Sequence, residues 1–529
     1  MRSRPLTIVG VMGTFAGFLL LHYPLLRLPY FWDEAGYYIP AALDFYRSWL
    51  LIPQSTLPTG HTPLVMVYLA LAWRVFGFSP LVTRAAMILV AAGTVVALYA
   101  LARRVASREA AIWSALLLAL SPMFFAQSSL VYLDLPVAVF TTLAVLALLE
   151  GQMLMFAVTA SLAVLTKETA VVLLPVAWVF VWRRAKAGQA LPLKKTWLAL
   201  TAPLVPLAAW AFYYHHVTGF WTGNAEYLQY NLYATLSLGR IFWSLLRRLY
   251  EVFFGGFNWL LVVGAALGIW RGRAKEGNGD IEAQKIAALA PQERSEKPQG
   301  PQERADEKAR LFRDFLFLAG GMGAAYVLML SVVGGAILPR YLLPIFPALF
   351  LALVALVCQL PKVLARSLCA ATLACFVGAW FINPSYPFPY EDNLAYRDFI
   401  HLHQQAAQFL EARPPGERIL TAWPATDELA RPFLGYVDRP LRVVPVQGFT
   451  AQDFGDVSGD SFDVLYLYSR KWEPPSNWLA QFPYLERVQE HYFDYAPQIG
   501  ADGLAARYGL RLLARFEQRG QWVKIYKKQ

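Results

Sequence analysis

Charge is scarce in this chain. Only 16% of its 529 residues are charged, 57% are hydrophobic, and the mean hydropathy is +0.39. A soluble domain carries about 25% charged residues, so the composition excludes an ordinary soluble globular protein. Because lipid offers no partners to exposed backbone amides, the many apolar runs predict a mainly α, polytopic bundle of transmembrane helices.

Cysteine is equally rare. The three cysteines, Cys358, Cys369 and Cys375, all lie in apolar stretches. Their spacing fits neither a zinc site nor a disulfide framework, and we interpret them as small core or lipid-facing residues. The polar segment after residue 385 contains no nucleophile elbow, phosphate-binding loop or metal motif. The sequence therefore predicts no nucleotide or redox cofactor.

The net charge of +11 does not indicate a nucleic-acid partner. Residues 385–529 contain 16 Lys and Arg against 18 Asp and Glu, so the basic excess lies in and around the apolar segments. This is the distribution that the positive-inside rule produces in a membrane protein. Residues 1–28 begin with Arg2 and Arg4, continue as an apolar run without a small-residue cleavage site, and predict an uncleaved signal anchor.

Apolar runs of about 20 residues predict eleven membrane spans. A loop at about 29–79 follows the first span, and its stretch Pro63–Phe76 is short for a span, so we expect a juxtamembrane or re-entrant helix there. The predicted spans are at about 6–28, 81–102, 110–127, 136–150, 153–166, 169–182, 197–214, 252–270, 315–335, 341–360 and 367–384.

Basic residues predict the orientation of these spans. With the N-terminus in the cytoplasm, 22 of the 31 cations before residue 385 fall on the cytoplasmic side. An odd number of spans then places the C-terminus outside. We therefore expect a multi-pass protein of a bacterial cytoplasmic membrane, with residues 385–529 extracytoplasmic.

Two segments differ from the membrane region 1–384. Residues 271–313 mix ten Lys and Arg with eight Asp and Glu, and predict a disordered cytoplasmic loop. Residues 385–529 predict a small α/β domain. Its expected elements are a helix at about 392–412 and strands at Arg418–Thr421, Leu441–Val446, Phe462–Tyr468 and Trp522–Tyr526.

The most informative feature is a pair of adjacent carboxylates, Asp33 and Glu34, set between Trp32 and Tyr37 just after the first span. Ionisable residues at a membrane edge are costly to desolvate and are candidates for function. The predicted topology places further candidates on the same outer face, where we expect helix ends to converge on one cavity. These are His61, Asp134, Lys167, Glu168, Arg340 and Tyr341.

Each residue also has an ordinary structural explanation. The carboxylate pair could be solvated, and Asp134 could cap a helix. Lys167 and Glu168 could form an ion pair in a turn, and Arg340 could extend to the interface. The predicted outer loop at about 216–240 adds aromatic residues, His215, His216 and Glu226, which suit either saccharide contacts or an interfacial aromatic belt.

This set of residues suits transfer chemistry at a membrane surface. A carboxylate can act as a general base towards a hydroxyl or amine, and several can hold a divalent ion. Lys or Arg can stabilise a departing phosphate, and aromatic rings can stack on sugars. A phosphate-linked lipid donor fits best, because its tail enters between helices while its head group reaches the outer face.

The motifs resemble the GT-C glycosyltransferases of the protein O-mannosyltransferase and lipid A aminoarabinose transferase type. The resemblance covers about residues 1–360, with His61-Thr-Pro in place of the His-Pro-Pro that is frequent in the family. The matching pieces, in order, are Phe31-Trp-Asp-Glu34, His61-Thr-Pro-Leu64, Phe76-Gly77, Arg84, Ala110–Pro122 with Asp134, Thr166-Lys-Glu168 and Arg340-Tyr-Leu-Leu-Pro344.

The resemblance implies an inverting transfer of a sugar from a polyprenyl-phosphate donor to a lipid, glycan or protein acceptor. It implies Asp33 as the catalytic base, with Glu34 assisting and Asp134 as the second acidic position. The donor phosphate would contact Lys167, Arg340 and Tyr341. Substrate contacts would come from Trp32, Tyr37, His61, Glu168 and Glu226. A divalent metal on Asp33, Glu34 and Asp134 is left open.

Two other functions are compatible with a membrane protein of this size. A transporter or flippase for a lipid-linked sugar would place polar residues near the bilayer midplane and often show inverted repeats. Here the charges gather at one edge, and no repeat of the membrane segments is evident. A sensor or scaffold would leave the one-sided acidic set unexplained.

Overall fold

The computed structural model describes residues 8–188, 193–287, 301–474, 481–493 and 499–529. The membrane region is helical. Its α-helices are α1 Ile8–Leu21, α2 Ile39–Ser48, α3 Leu64–Phe76, α4 Pro80–Val105, α5 Arg108–Leu120, α6 Pro122–Gln127, α7 Asp134–Leu149, α8 Met153–Thr166, α9 Leu173–Lys186, α10 Leu193–Thr201, α11 Leu204–Thr218, α12 Ala225–Asn231, α13 Leu238–Phe253, α14 Asn258–Ala287, α15 Pro301–Val332, α16 Phe346–Val357 and α17 Lys362–Ala379.

Six helical stretches in the described part are long and apolar enough to cross a membrane, and four shorter apolar helices accompany them. Every predicted span coincides with at least one of the helices. The stretch Pro63–Phe76 forms the predicted short helix, α3. The multi-pass membrane architecture is therefore confirmed, while the number of spans and the cytoplasmic N-terminus stay predictions.

Two helices enter the segment 271–313, for which the sequence predicts a disordered loop, and that prediction stays a prediction. Helix α14 continues to Ala287, and α15 begins at Pro301. Glu, Lys, Gln, Arg and Ala are strong helix formers, so a highly charged sequence can extend a membrane helix into water. Residues 288–300, to which the same prediction applies, lie outside the described residues.

The C-terminal region forms the predicted α/β domain. Its helices are α18 Ala395–Glu411, α19 Ala425–Ala430, α20 Pro483–Tyr492 and α21 Ala501–Tyr508. Its strands are β1 Ile419–Ala422, β2 Val443–Val446, β3 Val464–Tyr468, β4 Leu510–Gln518 and β5 Gln521–Lys528, in the order β2-β1-β3-β5-β4. Strands β1, β2 and β3 are parallel, whereas β5 pairs antiparallel with β3 and β4.

Hydrogen bonds to the backbone of Tyr30 and tight packing dock this domain onto the first long loop of the membrane region. Tyr30 N donates to Leu434 O at 3.2 Å, and Tyr436 Oη donates to Tyr30 O at 3.1 Å. Trp423, directly after β1, packs on Gly36, where an added Cβ would lie 2.6 Å from the indole nitrogen. The domain is therefore fixed beside Asp33.

The long helices separate two kinds of charge. Arg84 lies in the first turns of α4 and Asp134 begins α7, both near the docked domain. At the other ends of the same helices, Arg104 pairs with Glu150 at 2.6 Å. The candidate site residues therefore lie at one end of the bundle and the basic clusters at the other, as the sequence predicts.

Candidate active site

Arg340 lies at the centre of a buried group of charges that we call the central cluster: Asp33, Asp134, Lys167, Arg340 and Glu391. A 3-10 turn, Pro339–Ile345, begins with Arg340 near its start and leads into α16. Two guanidinium nitrogens are paired, Nη2 with Asp33 Oδ2 at 2.5 Å and Nη1 with Glu391 Oε1 at 3.0 Å. The guanidinium carbon lies 3.7 Å from the Tyr132 ring centroid. The cation is thus fixed on three sides.

Lys167 supplies a second cation next to Arg340. Its Nζ donates to Asp134 Oδ1 at 2.7 Å and lies 4.3 Å from the Tyr341 ring centroid. Asp134 Oδ2 lies 3.9 Å from Arg340 Nε, which has no hydrogen-bond partner among the described residues. Asp134 therefore bridges the two cations, and two positive charges face one small volume. Such a pair is suited to a phosphate with two negative charges.

Asp33 is the most accessible carboxylate of the central cluster. Its side chain is 20% exposed, whereas those of Asp134 and Glu391 are 4% and 7% exposed. Asp33 precedes a π-helical turn, Glu34–Tyr38, and follows Trp32, whose φ of 49° is left-handed. A left-handed non-glycine residue is uncommon and costs free energy, which the surrounding contacts must supply. The turn thus presents Asp33 at the edge of the cluster.

Glu34 points away from Asp33 into the protein. Its two oxygens accept from Arg84, from Phe31 N at 2.7 Å and from Val131 N at 2.5 Å, and the side chain is fully buried. Arg84 Nη2 also donates to Glu34 Oε2 at 2.9 Å. Glu34 and Arg84 thus form a buried ion pair that joins the first loop to α4.

His61 and Glu168 form a neighbouring pair. His61 Nδ1 lies 3.0 Å from both oxygens of Glu168, and the His61 ring meets that of Tyr227 edge-on at 6.0 Å. Glu168 therefore pairs with His61, while Lys167 pairs with Asp134. A small pocket of about 20 Å³ borders His61 and is lined also by Tyr37, Tyr38, Trp210 and Tyr214 among others.

Residues 60–213 match the family model described as dolichyl-phosphate-mannose-protein mannosyltransferase. The chain also superposes on the crystal structure of ArnT from Cupriavidus metallidurans in the apo state, with 15% identity, a TM-score of 0.54 and 97% of each chain covered. The undecaprenyl-phosphate-bound crystal structure of the same protein gives 16% identity, a TM-score of 0.52 and 98% of each chain. No curated protein matches the sequence.

The chain has the GT-C fold. The fold that the sequence motifs predict for about residues 1–360 is therefore confirmed, and the family model over residues 60–213 agrees with the predicted glycosyltransferase class. Within this GT-C fold, the family model spans α3 to α11 and thus contains Asp134, Lys167, His61 and Glu168. Asp33 and Arg340 lie outside the matched segment, and geometry alone connects them to it.

The GT-C fold brings most of the predicted residues together. Asp33, Asp134, Lys167 and Arg340 meet in the central cluster, Tyr341 lies against Lys167, and Trp32 flanks Asp33. Tyr37 lies near Asp33, with its ring 5.6 Å from that of Trp423. Glu226 does not join them: it is exposed on α12 and makes no ion pair in the described part of the chain. The roles given to these residues stay predictions.

Sequence reasoning missed Glu391. It belongs to a short 3-10 turn, Tyr390–Asp392, that links the membrane region to the α/β domain. Burial raises the pKa of Glu391, against the opposing effect of Arg340. The pKa of its neighbour Asp392 is raised well above the usual range, again by burial first and then by Glu391. The adjacent acids Glu391 and Asp392 were the available signal, but they lie beyond the part of the chain that resembles the family.

A metal ion does not fit the predicted ligands. Asp33, Glu34 and Asp134 are each engaged by a cation of the protein, with Glu34 directed away from the other two. Among the described residues, no group of three His, Cys, Asp or Glu side chains is arranged to hold a metal. We therefore derive no step through a metal ion.

Proposed function

We propose that the protein is an integral-membrane glycosyltransferase that transfers a sugar from a polyprenyl-phosphate donor, with inversion, on the outer face of a bacterial cytoplasmic membrane. The observation that carries this proposal is the direct contact between an accessible carboxylate, Asp33, and a buried cation, Arg340. A candidate base and a candidate phosphate-binding group therefore lie side by side. The fold and the family model over residues 60–213 support the same chemistry.

The reaction follows from this arrangement. The donor phosphate binds between Lys167 and Arg340, with the sugar directed towards Asp33. An acceptor hydroxyl attacks the anomeric carbon from the face opposite the phosphate, and Asp33 takes its proton. The new bond joins the acceptor oxygen to the anomeric carbon, and the bond from that carbon to the phosphate oxygen breaks. Lys167 and Arg340 stabilise the negative charge that the departing phosphate gains.

Arg340 has to change partners during this cycle. In the structure its guanidinium occupies Asp33 Oδ2, so this oxygen is not free to accept a proton from the acceptor. The donor phosphodiester carries one negative charge and its phosphate gains a second as the bond to the sugar breaks, so Arg340 can form charge-assisted hydrogen bonds to it that strengthen during the reaction. The retained contact with Glu391 would keep Arg340 oriented while Asp33 turns to the acceptor.

The test is transfer by the purified full-length protein. It would be incubated with a panel of polyprenyl-phosphate sugars and with lipid, glycan and peptide acceptors, and products would be identified by mass spectrometry. Asp33→Asn should lower the rate by about 10²- to 10⁴-fold, the usual contribution of a general base. The exposed Asp438→Asn, the same substitution in the α/β domain, should retain the wild-type rate.

Two results would contradict the proposal. Near-normal transfer by Asp33→Asn would remove the base from the mechanism. Movement of a lipid-linked sugar across vesicles, without a covalent product from any donor, would favour a transporter instead.

A further inference from the structure

A groove between α5 and α17 lies at the end of the bundle opposite the central cluster. The two helices run parallel. Arg366, near the start of α17, pairs with Glu109 at the start of α5 at 2.7 Å, and Trp380 Nε1, just after α17, donates to Leu120 O at 3.0 Å. The groove has a volume of about 380 Å³ and is lined by Arg108, Glu109, Ile112, Trp113, Leu116 and Arg366. It is therefore charged at the helix starts and apolar along the helices.

Positive charge is in excess at the charged end of the groove. Arg108 makes no ion pair or side-chain hydrogen bond within the described part of the chain. Arg366 is 61% exposed and uses only Nε towards Glu109, so its two Nη nitrogens can donate to a further acceptor. Lys362, one turn earlier on α17, adds a third cation that acts on Glu109. Three cations thus surround one carboxylate, and the surplus favours an anion.

The rest of the groove is an exposed apolar surface that begins at Arg108. Arg108, Ile112 and Leu116 are spaced by four residues, so they share one face of α5. Ile112 and Leu116 are each 41% exposed. Trp113 lies beside them, and tryptophan is enriched at the level of the lipid headgroups in membranes. An apolar chain bound here would therefore extend from the cationic end along α5.

We propose that this groove binds one anionic phospholipid of the surrounding bilayer. The headgroup phosphate would accept hydrogen bonds from Arg108 and Arg366, and an acyl chain would lie along Ile112 and Leu116. A free anion would fill only the charged end, whereas a phospholipid has a charged and an apolar part in the order in which the groove presents them. Basic residues beside a membrane helix attract anionic headgroups. The site does not depend on the proposed function, because it lies far from Asp33.

The test compares two lipids that have the same acyl chains but differ in headgroup charge. The full-length protein in detergent would be titrated with dioleoylphosphatidylglycerol or with dioleoylphosphatidylcholine, and bound lipids would be counted by native mass spectrometry. The first phosphatidylglycerol should bind at least about tenfold more tightly than the first phosphatidylcholine, the effect of one hydrogen bond to a charged group.

Variants assign the binding to the groove. Arg108→Gln should lose the preference for phosphatidylglycerol and, without added lipid, should unfold at the wild-type temperature. Arg103→Gln removes the same charge from the exposed end of α4, outside the groove, and should bind as the wild type does. Ile112→Trp fills the apolar part and should weaken both lipids. Lys167→Met, in the central cluster, should keep the wild-type preference.

Equal affinity for the two lipids would overturn the inference, as would an unchanged preference in Arg108→Gln. An equal loss in Arg103→Gln would mean that the preference reflects the general charge of this end of the bundle. A loss in Lys167→Met would place the lipid in the central cluster, and a wild-type dimer that Ile112→Trp dissociates would show that a second copy covers the groove. Each of these three results would also contradict the proposal.

Discussion

At the scale of single residues, the site depends on how strongly Arg340 pairs with each of two carboxylates, Asp33 and Glu391. Both carboxylates contact the same guanidinium, at 2.5 and 3.0 Å, but only Asp33 is accessible to an acceptor. If Glu391 is neutral, Arg340 pairs more strongly with Asp33 and the base is less available. We therefore predict that the ionisation of Glu391 affects how readily Arg340 releases Asp33, the proposed base.

This pairing predicts opposite pH trends for activity and stability. Since the pKa of Glu391 is raised by burial, lowering the pH protonates it before an ordinary glutamate, and activity should fall. The free energy of unfolding should rise as the pH falls over this range, because the folded state binds the proton of Glu391 more tightly than the unfolded state does. This gain in stability is lost when the pH rises through the raised pKa of Glu391.

Glu391→Gln fixes the neutral state. At neutral pH it should lose about tenfold or more in kcat, the effect of one charge-assisted hydrogen bond, and the acid limb of its pH profile should shift to lower pH. Thermal unfolding should vary less with pH than in the wild type. The exposed Glu486→Gln is the control. Unchanged kcat and an unchanged acid limb in Glu391→Gln would refute this role.

The structure also explains why the sequence does not tell which of the two adjacent carboxylates, Asp33 or Glu34, faces the central cluster. Adjacent residues in a helical turn point about 100° apart, so one of the pair faces the cluster and the other faces Arg84. The sequence does not reveal which is which. Arg84 was recognised only as a motif residue, and its pairing across 50 positions could not be read from local pattern.

At the scale of elements, α13 holds the segment that carries Arg340. Arg247 Nη2 donates to Ile337 O at 3.1 Å, and Arg248 Nη1 donates to Leu338 O at 2.7 Å. These carbonyls immediately precede the turn Pro339–Ile345. Glu251 pairs with both arginines, so it keeps them aligned on one face of α13. The helix therefore positions Arg340 through the backbone.

Arg248→Gln should displace this turn. Losing the bond to Leu338 O and the charge that faces Glu251 should destabilise the protein by about 1–3 kcal/mol and reduce kcat by about tenfold or more, because Arg340 moves relative to the phosphate. Donor turnover and thermal unfolding would be measured together. Arg108→Gln, at the exposed start of α5, should change neither. Wild-type turnover in Arg248→Gln would contradict a positioning role for α13.

Elements differ in how far the sequence predicts them. The spans and strands β1 and β3 follow from continuous apolar runs, since both faces of these strands are buried. Strand β4 was missed because its pairing with β5 is shifted between Leu512 and Ala514 and much of it is exposed. That irregularity interrupts the alternation on which strand prediction depends.

At the scale of the whole molecule, the central cluster is complete only when the two regions are docked. Asp33, Asp134, Lys167 and Arg340 come from the membrane region, whereas Glu391 comes from the connection to the α/β domain. The sequence predicted that the four residues of the membrane region lie together, because they are at helix ends on the same side of the membrane. It could not predict Glu391, whose position depends on how the domain packs.

The closeness of this docking gives a prediction at Gly36. A methyl group there would lie 2.6 Å from the Trp423 indole nitrogen and under 3 Å from two further ring atoms. Gly36→Ala should therefore push Trp423 and the α/β domain away from Asp33, lowering both the unfolding temperature and the transfer rate.

Gly93→Ala in α4 is the matched control, since its nearest atom is 3.8 Å away, and Ala favours a helix over Gly by about 1 kcal/mol. The double variant Gly36→Ala, Trp423→Phe should regain the unfolding temperature, because the smaller ring leaves room for the methyl group. If Gly36→Ala instead matched Gly93→Ala in rate and stability, the domain would not need to be held this close for catalysis.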